Sequence, residues 1–574
     1  MAAPSAARLV GGADDHVLDQ AIASSKAGRF SHAEHLFKTF LLRQPKHARA
    51  LNQFGILLAQ TGRYDEAERH IGQAISLGLC SGATFYNHGI TLKYLQRPLE
   101  ALDAFNRALA INPKEPETWN NRGAVFNDLA RYGEAISDFD QAILLRADFA
   151  GAFSNKAKAL LLSGRHDEAF AAYDQALAIR PELLEAWLGR ANASYQLKRF
   201  DEALAAYDRV LALKPGLTEA WLGRGSIFGL RKRHGEALAA FDQALVLKPD
   251  LVEAWLGRAN ACCELKRYQD ALAAFDKALT ARPDLAKAWL GRGGTLARIN
   301  CPDQALAAFD RALAIMPDLA DAWLGRGDAL QALNRPAEAI IAIRQALANG
   351  ADAAAVQYSL AALGAGTAPA VAPRHVVTEL FDRYADHFDE HLLGKLQYRA
   401  PDLLFDAMKR LVPSRELDIL DLGCGTGLVG ARFRPLARTL TGVDFSPNML
   451  EVARQRRIYD NLICGELTEF LPTQTRKFDL AVATDVFLYI GDLSGVFQGV
   501  RGALRDGGFF GFSVEISDAQ DFVLRLNRHY AHSGGYLRKL ATDQGFVLET
   551  IESHVIRQDD GIDVAGYLAI LRCA

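Results

Sequence analysis

Residues 187–220 read WLGRANASYQLKRFDEALAAYDRVLALKPGLTEA, and residues 221–254 repeat the same pattern. The six tryptophans of the chain recur at this spacing or at twice this spacing, with Phe153 in the gap and Phe85 extending the series toward the amino terminus. A period of about 34 residues is typical of stacked helical hairpins. Projected over the sequence, this period predicts about ten hairpins between roughly Asp14 and Asp352.

Two positions of the repeat carry only small side chains. One is alanine in every repeat from Ala33 to Ala339, and the other is glycine or alanine in every repeat from Ala21 to Gly327. Antiparallel helices can approach closely only where no bulky side chain separates them. These positions therefore predict the contact between the two helices of each hairpin. A recurring proline, as at Pro181, is expected to end the second helix.

This pattern resembles the tetratricopeptide repeat from about Asp14 to Asp352. The resemblance implies an all-α TPR solenoid over residues 14–363, made of about ten repeats and an end helix. Repeats of this family bind extended peptides or helices in a concave groove, so we expect a protein or peptide partner. The sequence does not identify that partner.

A basic residue follows each aromatic by three positions in seven consecutive repeats: Arg122, Lys156, Arg190, Arg224, Arg258, Arg292 and Arg326. These side chains could bind an acidic partner. They could also pair internally, because an aspartate follows in the second helix of most of these repeats, as Asp208 does after Arg190. Residues equally distant from the turn of a hairpin lie side by side, so we favour internal pairing within each repeat.

The composition changes after residue 352. Residues 353–363 suit an end helix, and residues 364–375 begin with GAGTAPAVAP, which predicts a linker with few groups able to tie two domains together. Beyond Val376, short apolar runs alternate with helical segments. Such alternation favours a parallel sheet covered by helices, which is a Rossmann-like α/β domain over residues 376–574.

The glycine-rich stretch LDILDLGCGTGLVG at 417–430 indicates a ligand site. Its glycines allow a sharp turn after a buried strand and close approach of a ligand to the backbone. A dinucleotide fingerprint would place its third glycine where Leu428 stands and an apolar residue where Asp421 stands. Asp421 suits an ammonium group, and Asp444 after the second strand suits ribose hydroxyls. A nucleoside joined to an amino acid fits both acids, which points to S-adenosyl-L-methionine.

The motifs DLGCGTG and GVDFSPNMLEVAR resemble those of class I methyltransferases, and FDRYADHFDEHL (381–392) with DVFLYIGDL (485–493) resembles predicted methyltransferases fused to tetratricopeptide repeats. The expected architecture is therefore an all-α TPR solenoid followed by an α/β Rossmann-like class I methyltransferase domain. The resemblance implies a set of cofactor-binding residues: Tyr384, Asp421, Gly423, Gly425, Gly427, Asp444, Phe445, Met449, Glu466 and Asp485.

Within that implied set, Asp421 and the glycines would hold the methionyl part and Asp444 the ribose. Met449 would flank the adenine, Glu466 would meet its amino group, and Asp485 would border the acceptor. Tyr384 could close over the cofactor or simply pack in a lid helix.

Methyl transfer depends mainly on proximity and orientation, and a general base is needed only for a protonated acceptor. We take Tyr489, His391 and His532 as the candidate catalytic residues, with His387 and His529 as further possibilities. The chain lacks an Asn-Pro-Pro-aromatic segment after the fourth strand, which disfavours methylation of amides and exocyclic adenine amines. We expect acceptor selectivity to reside in residues 528–541.

Composition excludes several other classes of function. The net charge of −3 gives no support to nucleic-acid binding, and scattered cysteines indicate neither disulfides nor a metal site. No apolar stretch is long enough to span a membrane and no signal peptide is evident, so a cytoplasmic location is expected.

We therefore expect an S-adenosylmethionine-dependent methyltransferase whose repeats recruit a partner or substrate. A repeat scaffold with a non-catalytic cofactor domain is the alternative, and an aminopropyl transferase is a weaker one.

Overall fold

The computed structural model describes residues 10–384, 388–412, 416–559 and 561–574. The chain forms two compact units, and the first unit ends at Arg282. The described part of the first unit consists of consecutive helical hairpins: α1 (Val10–Lys26), α2 (Phe30–Arg43), α3 (Ala48–Gln60), α4 (Tyr64–Ser76), α5 (Gly82–Tyr94), α6 (Pro98–Ile111), α7 (Pro116–Asp128), α8 (Tyr132–Leu145), α9 (Ala150–Leu162), α10 (His166–Ile179), α11 (Leu184–Gln196), α12 (Phe200–Leu213), α13 (Thr218–Leu230), α14 (His234–Leu247), α15 (Val252–Glu264) and α16 (Tyr268–Ala281).

The second unit begins with further hairpins of the same kind and an end helix: α17 (Ala286–Arg298), α18 (Pro302–Ile315), α19 (Ala320–Ala332), α20 (Pro336–Ala348) and α21 (Ala353–Ala362). The predicted repeat fold is confirmed, and the helices end near the recurring prolines, as α10 does before Pro181. Among the described helices, none is both long and apolar enough to cross a membrane.

The small residues form the contacts within each hairpin, as the sequence predicts. Every alanine of the series from Ala33 to Ala339 is fully buried. A Cβ atom on Gly89 would lie 2.7 Å from the ring of Phe105 on the partner helix. A second contact was not predicted: a Cβ on Gly189 would lie 2.1 Å from Tyr173 in the preceding hairpin. Glycines of the repeat therefore admit aromatic rings both within and between hairpins.

The tryptophans have a polar role that the repeat pattern alone did not reveal. The indole Nε1 of Trp187 donates a hydrogen bond of 2.7 Å to the carbonyl oxygen of Pro181. The same bond recurs at the other tryptophans, with lengths up to 3.1 Å. The proline that ends one hairpin thus anchors the first helix of the next.

The basic series is paired internally, but its partners differ from the predicted ones. Arg190 Nε donates to Asp174 Oδ1 at 2.6 Å, so it pairs with an aspartate of the preceding hairpin and not with Asp208. The same spacing holds for Lys156–Asp140, Arg224–Asp208, Arg258–Asp242 and Arg326–Asp310. The prediction of pairing within one hairpin was wrong there, because the first helix of each of these hairpins also packs against the second helix of the hairpin before it, as α11 does against α10.

Arg122 is the exception in this series. It makes two hydrogen bonds of 2.7 Å to Asp138, which lies later in the sequence, on the second helix of its own hairpin.

The rest of the second unit is an α/β domain built from the following elements: α22 (Arg374–Tyr384), α23 (Phe388–Glu390), a π-helical turn (His391–Lys395), α24 (Ala400–Met408), β1 (Leu417–Leu422), α25 (Leu428–Phe433), β2 (Ala437–Asp444), α26 (Pro447–Gln455), β3 (Asn461–Cys464), α27 (Leu467–Phe470), β4 (Phe478–Ala483), α28 (Ser494–Ala503), β5 (Leu504–Ile516), β6 (Phe522–Leu524), β7 (Tyr530–His532), α29 (Gly534–Asp543), β8 (Phe546–Asp559) and β9 (Ile562–Cys573).

The sheet has the order β3-β2-β1-β4-β5, and these five strands are parallel. Strand β9 runs antiparallel to β5, and β8 runs antiparallel to β9. All six residues of β1 are buried, as expected for a central strand covered on both faces. After β3 the chain crosses to the other side of β1 and continues as β4. Ligands of such sheets bind at this crossing point, at the carboxyl ends of the strands. The predicted Rossmann-like fold is confirmed.

Residues 364–375 are bonded to the α/β domain. The amide of Gly491 donates to the carbonyl of Ala370 at 2.8 Å, and the amide of Ala372 donates to the carbonyl of Tyr489 at 2.9 Å. The expectation of a segment with few tying groups was wrong. Backbone groups make these bonds, and side-chain composition does not reveal them.

The end of the repeats also contacts this domain. Gln331 Nε2 on α19 donates to the carbonyl of Leu526 at 2.8 Å, and Asp328 on the same helix pairs with Arg528. Tyr358 on α21 donates its hydroxyl to the Arg528 carbonyl. The loop between β6 and β7 is therefore held by the last repeat.

Candidate cofactor and acceptor site

A cavity of about 220 Å³, partly open to solvent, lies where the central parallel strands end. Its wall includes Asp444 and Phe445 after β2, Glu466 after β3, and Asp485 and Tyr489 after β4. A smaller pocket shares part of this wall and adds two further predicted residues, Gly425 and Met449, as well as Thr484. The structure thus brings together most of the residues that the sequence predicts for cofactor binding.

The glycine turn after β1 has the backbone conformation that requires glycine. Gly423, Gly425 and Gly427 have φ angles of 61°, 53° and 93°, in the left-handed region that other residues rarely adopt. A Cβ on Gly423 would also lie 2.5 Å from Val486. The turn leads directly into α25, so its backbone faces the cavity where a ligand can approach closely.

Asp421 lies at the end of β1 behind this turn. It is fully buried, and its Oδ2 accepts a hydrogen bond of 2.6 Å from the Tyr459 hydroxyl. Its Oδ1 has no hydrogen-bond partner among the described residues. Burial raises the pKa of Asp421 to about 7, although the bond from Tyr459 opposes the shift. Asp421 does not line either pocket, so its predicted contact with an ammonium group stays a prediction.

The motif at 381–392 contacts the glycine turn through a residue that the sequence did not single out. Asp389 accepts a hydrogen bond of 2.5 Å from Thr426 Oγ1 and also pairs with Arg456. Arg456 Nε in turn donates to the Thr426 carbonyl at 2.6 Å. These bonds attach the segment 381–392, near the start of the α/β domain, to the glycine turn. The side chain of Tyr384, and all of His387, lie outside the described residues.

Asp444 lines both pockets and is oriented by backbone amides. Its Oδ2 accepts from Gly425 N at 2.9 Å, and its Oδ1 accepts from Ser446 N at 2.8 Å. A carboxylate oxygen can accept two hydrogen bonds, so this arrangement is compatible with additional donors such as ribose hydroxyls.

The far wall of the cavity includes the segment that precedes the α/β domain. Arg374 Nε lies 3.4 Å from Glu466 Oε1, and Val371, Ala372 and Val377 also line the cavity. Val371, Ala372 and Arg374 were not predicted as site residues because residues 364–375 were expected to form a linker.

Asp485 follows β4 in an unusual backbone conformation. Its φ is 56°, which is uncommon for a residue other than glycine and is often found at functional sites. Its amide donates to Ser513 Oγ at 3.2 Å, and its Oδ1 accepts from Arg557 Nη1 at 3.0 Å. Burial raises the pKa of Asp485, although the charges of Arg557 and His529 oppose the shift.

Glu515 on β5 is the shared partner of two arginines and a histidine. Arg557 pairs with its Oε1, His529 Nδ1 lies 3.0 Å from the same atom, and Arg525 Nη1 donates to Oε2 at 2.9 Å. Burial alone would raise the pKa of Glu515, but the bond from His529 and the charges of Arg557 and Arg525 lower it to about 2. Glu515 is therefore ionised, and both of its carboxylate oxygens have partners. Arg557 and Glu515 were not recognised in the sequence because nothing local marks them.

The three predicted catalytic residues occupy different places. Tyr489 lies on the cavity wall, with its ring packed edge-on against Phe381 and His529. His532 is fully buried away from both pockets, and its Nε2 lies 2.9 Å from the Gly491 carbonyl. Burial lowers the pKa of His532 to about 4. His391 lies in the π-helical turn and lines neither pocket.

Comparison with known proteins agrees with this description. A family model described as "Methyltransferase domain" matches residues 420–510. Two models described as "Tetratricopeptide repeat" match residues 160–224 and six stretches between residues 18 and 355.

The chain is also similar to curated proteins. It is 30% identical to a malonyl-[acyl-carrier protein] O-methyltransferase of Enterobacter lignolyticus over 188 residues, which is 31% of this chain and 72% of that protein. It is 41% identical to methyltransferase-like protein 27 of Homo sapiens over 17% of this chain and 42% of that protein. It is 33% identical to a malonyl-[acyl-carrier protein] O-methyltransferase of Acetivibrio thermocellus over 23% of this chain and 47% of that protein.

The fold and the matches define a methyltransferase domain preceded by tetratricopeptide repeats. The chain belongs to the methyltransferase family, as a fusion with these repeats.

Proposed function

We propose that this chain transfers a methyl group from S-adenosylmethionine and that its repeats recruit a protein partner or substrate. The observation that carries this proposal is the placement of Asp444 beside the left-handed glycine turn, on the wall shared by both pockets. When bound, the cofactor supplies an electrophilic methyl carbon on a sulfonium.

The residues around the turn fit this cofactor. Gly425 leaves room for a ligand against the backbone, since a Cβ there would meet only Phe388 at 3.9 Å, and Asp444 offers carboxylate oxygens to the ribose hydroxyls. Phe445 and Met449 provide apolar surface beside Asp444 for the adenine. The unpartnered Oδ1 of Asp421 behind the turn fits an ammonium group that reaches it directly or through a water.

The charge of the cavity wall also favours this cofactor over a dinucleotide. The described residues of the wall include three carboxylates, those of Asp444, Glu466 and Asp485, and one guanidinium, that of Arg374. A negative wall attracts a cationic sulfonium and repels a pyrophosphate.

Catalysis by this domain would rest on positioning. The ligand would lie between the glycine turn and the wall formed by Val371 and Ala372, so that the cavity holds it in one orientation and excludes water. Proximity and orientation supply most of the rate in a displacement of this kind. The names of two relatives specify O-methylation of malonyl-[acyl-carrier protein]; that acceptor is not assigned to this chain.

Methyl transfer can be tested without knowing the acceptor. The purified full chain is incubated with methyl-labelled S-adenosylmethionine and a cell extract, and both labelled products and S-adenosylhomocysteine are measured. We expect both to accumulate with the native chain and to fall strongly with the Asp444→Ala variant. If neither forms while S-adenosylhomocysteine still binds, the chain is a repeat scaffold with a non-catalytic cofactor domain.

A further inference from the structure

The wall shared by the two pockets contains a carboxylate oxygen to which no described residue donates a hydrogen bond. Arg557 donates to Oδ1 of Asp485, and the described residues provide no hydrogen bond to Oδ2. Asp485 lines both pockets, with 19% of its side chain exposed. One oxygen is thus fixed by the protein, and the other can face a ligand.

Two buried hydroxyls lie on the same part of the wall. Tyr398 Oη and Thr484 Oγ1 belong to residues that are 6% exposed, and neither atom makes a well-aligned hydrogen bond to a described residue. Both residues line the smaller pocket together with Asp485. Burial raises the pKa of Tyr398, the negative charge of Asp485 adds to the shift, and a polar contact between its hydroxyl and that of Thr484 opposes it. Buried polar atoms without partners are rare in proteins and suggest an absent ligand or water.

The nearby cations are not available to a ligand. Arg557 is 4% exposed and does not line either pocket, because its guanidinium lies between Asp485 and Glu515. Arg525 and His529 both bind Glu515. These side chains stabilise the two acids, and the carboxylate of Asp485 is the charged group beside the two hydroxyls on this part of the wall.

We propose that the methyl acceptor is an amine whose N–H groups bind Asp485 Oδ2 and the hydroxyls of Tyr398 and Thr484. This inference rests on the proposed methyl transfer. An amine supplies several donors to these oxygen atoms, and its protonated form is attracted by Asp485. A carboxylate acceptor would be repelled by the same side chain, and the guanidinium that lines the larger cavity, that of Arg374, already lies 3.4 Å from Glu466.

The reaction balances with Asp485 as proton acceptor. The protonated amine transfers a proton to Asp485 Oδ2 and regains its lone pair. The nitrogen then forms a bond to the methyl carbon while the carbon–sulfur bond of the cofactor breaks, and the sulfur keeps the bonding electrons as a neutral thioether. The methylated nitrogen carries the positive charge, and Asp485 releases its proton to solvent.

The chemistry of the labelled product tests this inference separately from the proposed function. Label transferred by the full chain in a cell extract is treated with alkali and then analysed by cation exchange. We expect alkali-stable label that is retained as a methylated amine. Release of labelled methanol would identify a methyl ester, and an uncharged methyl ether would identify a hydroxyl acceptor. Either result overturns the amine inference and leaves methyl transfer intact, whereas absence of all label overturns both.

A variant tests the role of Asp485 itself. Asparagine tolerates the left-handed backbone at this position, so Asp485→Asn removes the charge with little change of shape. We expect transfer to fall by about 100-fold or more, in the range of general-base contributions, while affinity for S-adenosylhomocysteine and the melting temperature change little.

The matched control is Asp506→Asn, which alters an exposed carboxylate paired with Arg476 and should leave transfer unchanged. Native-like transfer by Asp485→Asn would overturn the inference. If that variant does not fold, the product analysis still decides the matter.

Discussion

Arginine–carboxylate pairs occur both in the repeats and in the methyltransferase domain, but they are buried to different extents. In the repeats, Arg190 and Asp174 keep 18% and 45% of their side chains exposed. In the methyltransferase domain, Arg557 and Glu515 keep 4% and 2%. The repeat pairs recur along the chain, whereas the buried pair belongs to a single cluster beside the cavity.

This difference in burial distinguishes ion pairs that support the fold from ion pairs that belong to a ligand site. Partly exposed pairs contribute little to stability and join neighbouring hairpins. Burying an ion pair costs desolvation free energy that apolar residues of similar size would avoid. A buried cluster next to a cavity therefore indicates that its charges serve the ligand site, and here they hold Asp485 in place.

The largest expected effect is that of breaking the buried cluster. Arg557→Met removes the cation between two buried acids and should lower the free energy of unfolding by about 3–5 kcal/mol. The measurement is denaturant unfolding of the full chain, followed through the transition of the methyltransferase domain. The control Arg572→Met removes a pair with Glu549 that joins β9 to β8, where Arg572 is 40% exposed, and should cost less than about 1 kcal/mol. Equal losses from the two variants would refute the distinction between buried and exposed pairs.

The contacts between hairpins give an intermediate effect. Gly189→Ala places a Cβ against the buried ring of Tyr173 and should destabilise the chain by about 1–3 kcal/mol through overpacking. Gly294 also lies within a first helix of a hairpin, but a Cβ there meets nothing within 4 Å. Gly294→Ala should stabilise the chain by roughly 0.5–1 kcal/mol, because alanine favours the helix. Thermal unfolding of both variants measures this contrast, and a loss of stability in both would show that helix packing is not the cause.

The repeats were predictable because each structural role recurs at one sequence position. Ala33 and its equivalents mark the contact within a hairpin in every repeat, and Pro181 marks the end of a helix. The pairing of Arg190 was not predicted correctly, because the sequence does not show that the preceding hairpin supplies a closer aspartate than the arginine's own hairpin does.

The candidate site was only partly predictable. Asp444 and the glycine turn follow strands directly, so their spacing along the sequence reveals them. Arg557 and Glu515 come from strands far apart in the sequence, and only the folded sheet brings them to Asp485. The wall formed by Val371 and Ala372 depends on backbone hydrogen bonds, which a segment of small uncharged residues does not reveal.

The smallest expected effect concerns the repeat pairs. A double-mutant cycle on Arg190 and Asp174, each changed to alanine, should give a coupling free energy of about 0.2–1 kcal/mol. The same cycle on Arg190 and Asp208 should give a value near zero, because Arg190 bonds to Asp174. Denaturant unfolding of the single and double variants supplies the values. Stronger coupling to Asp208 would restore the pairing within one hairpin.

Binding of S-adenosylmethionine in the cavity through Asp444 can be tested by calorimetric titration of S-adenosylhomocysteine into the full chain and its Asp444→Ala variant. We expect the native chain to bind and the variant to lose about 1.5–3 kcal/mol of binding free energy, because hydrogen bonds to a charged group are removed. NADH serves as the competing ligand and should not bind. Equal affinity of the native chain and the variant, or comparable binding of NADH, would contradict the assignment of this cavity.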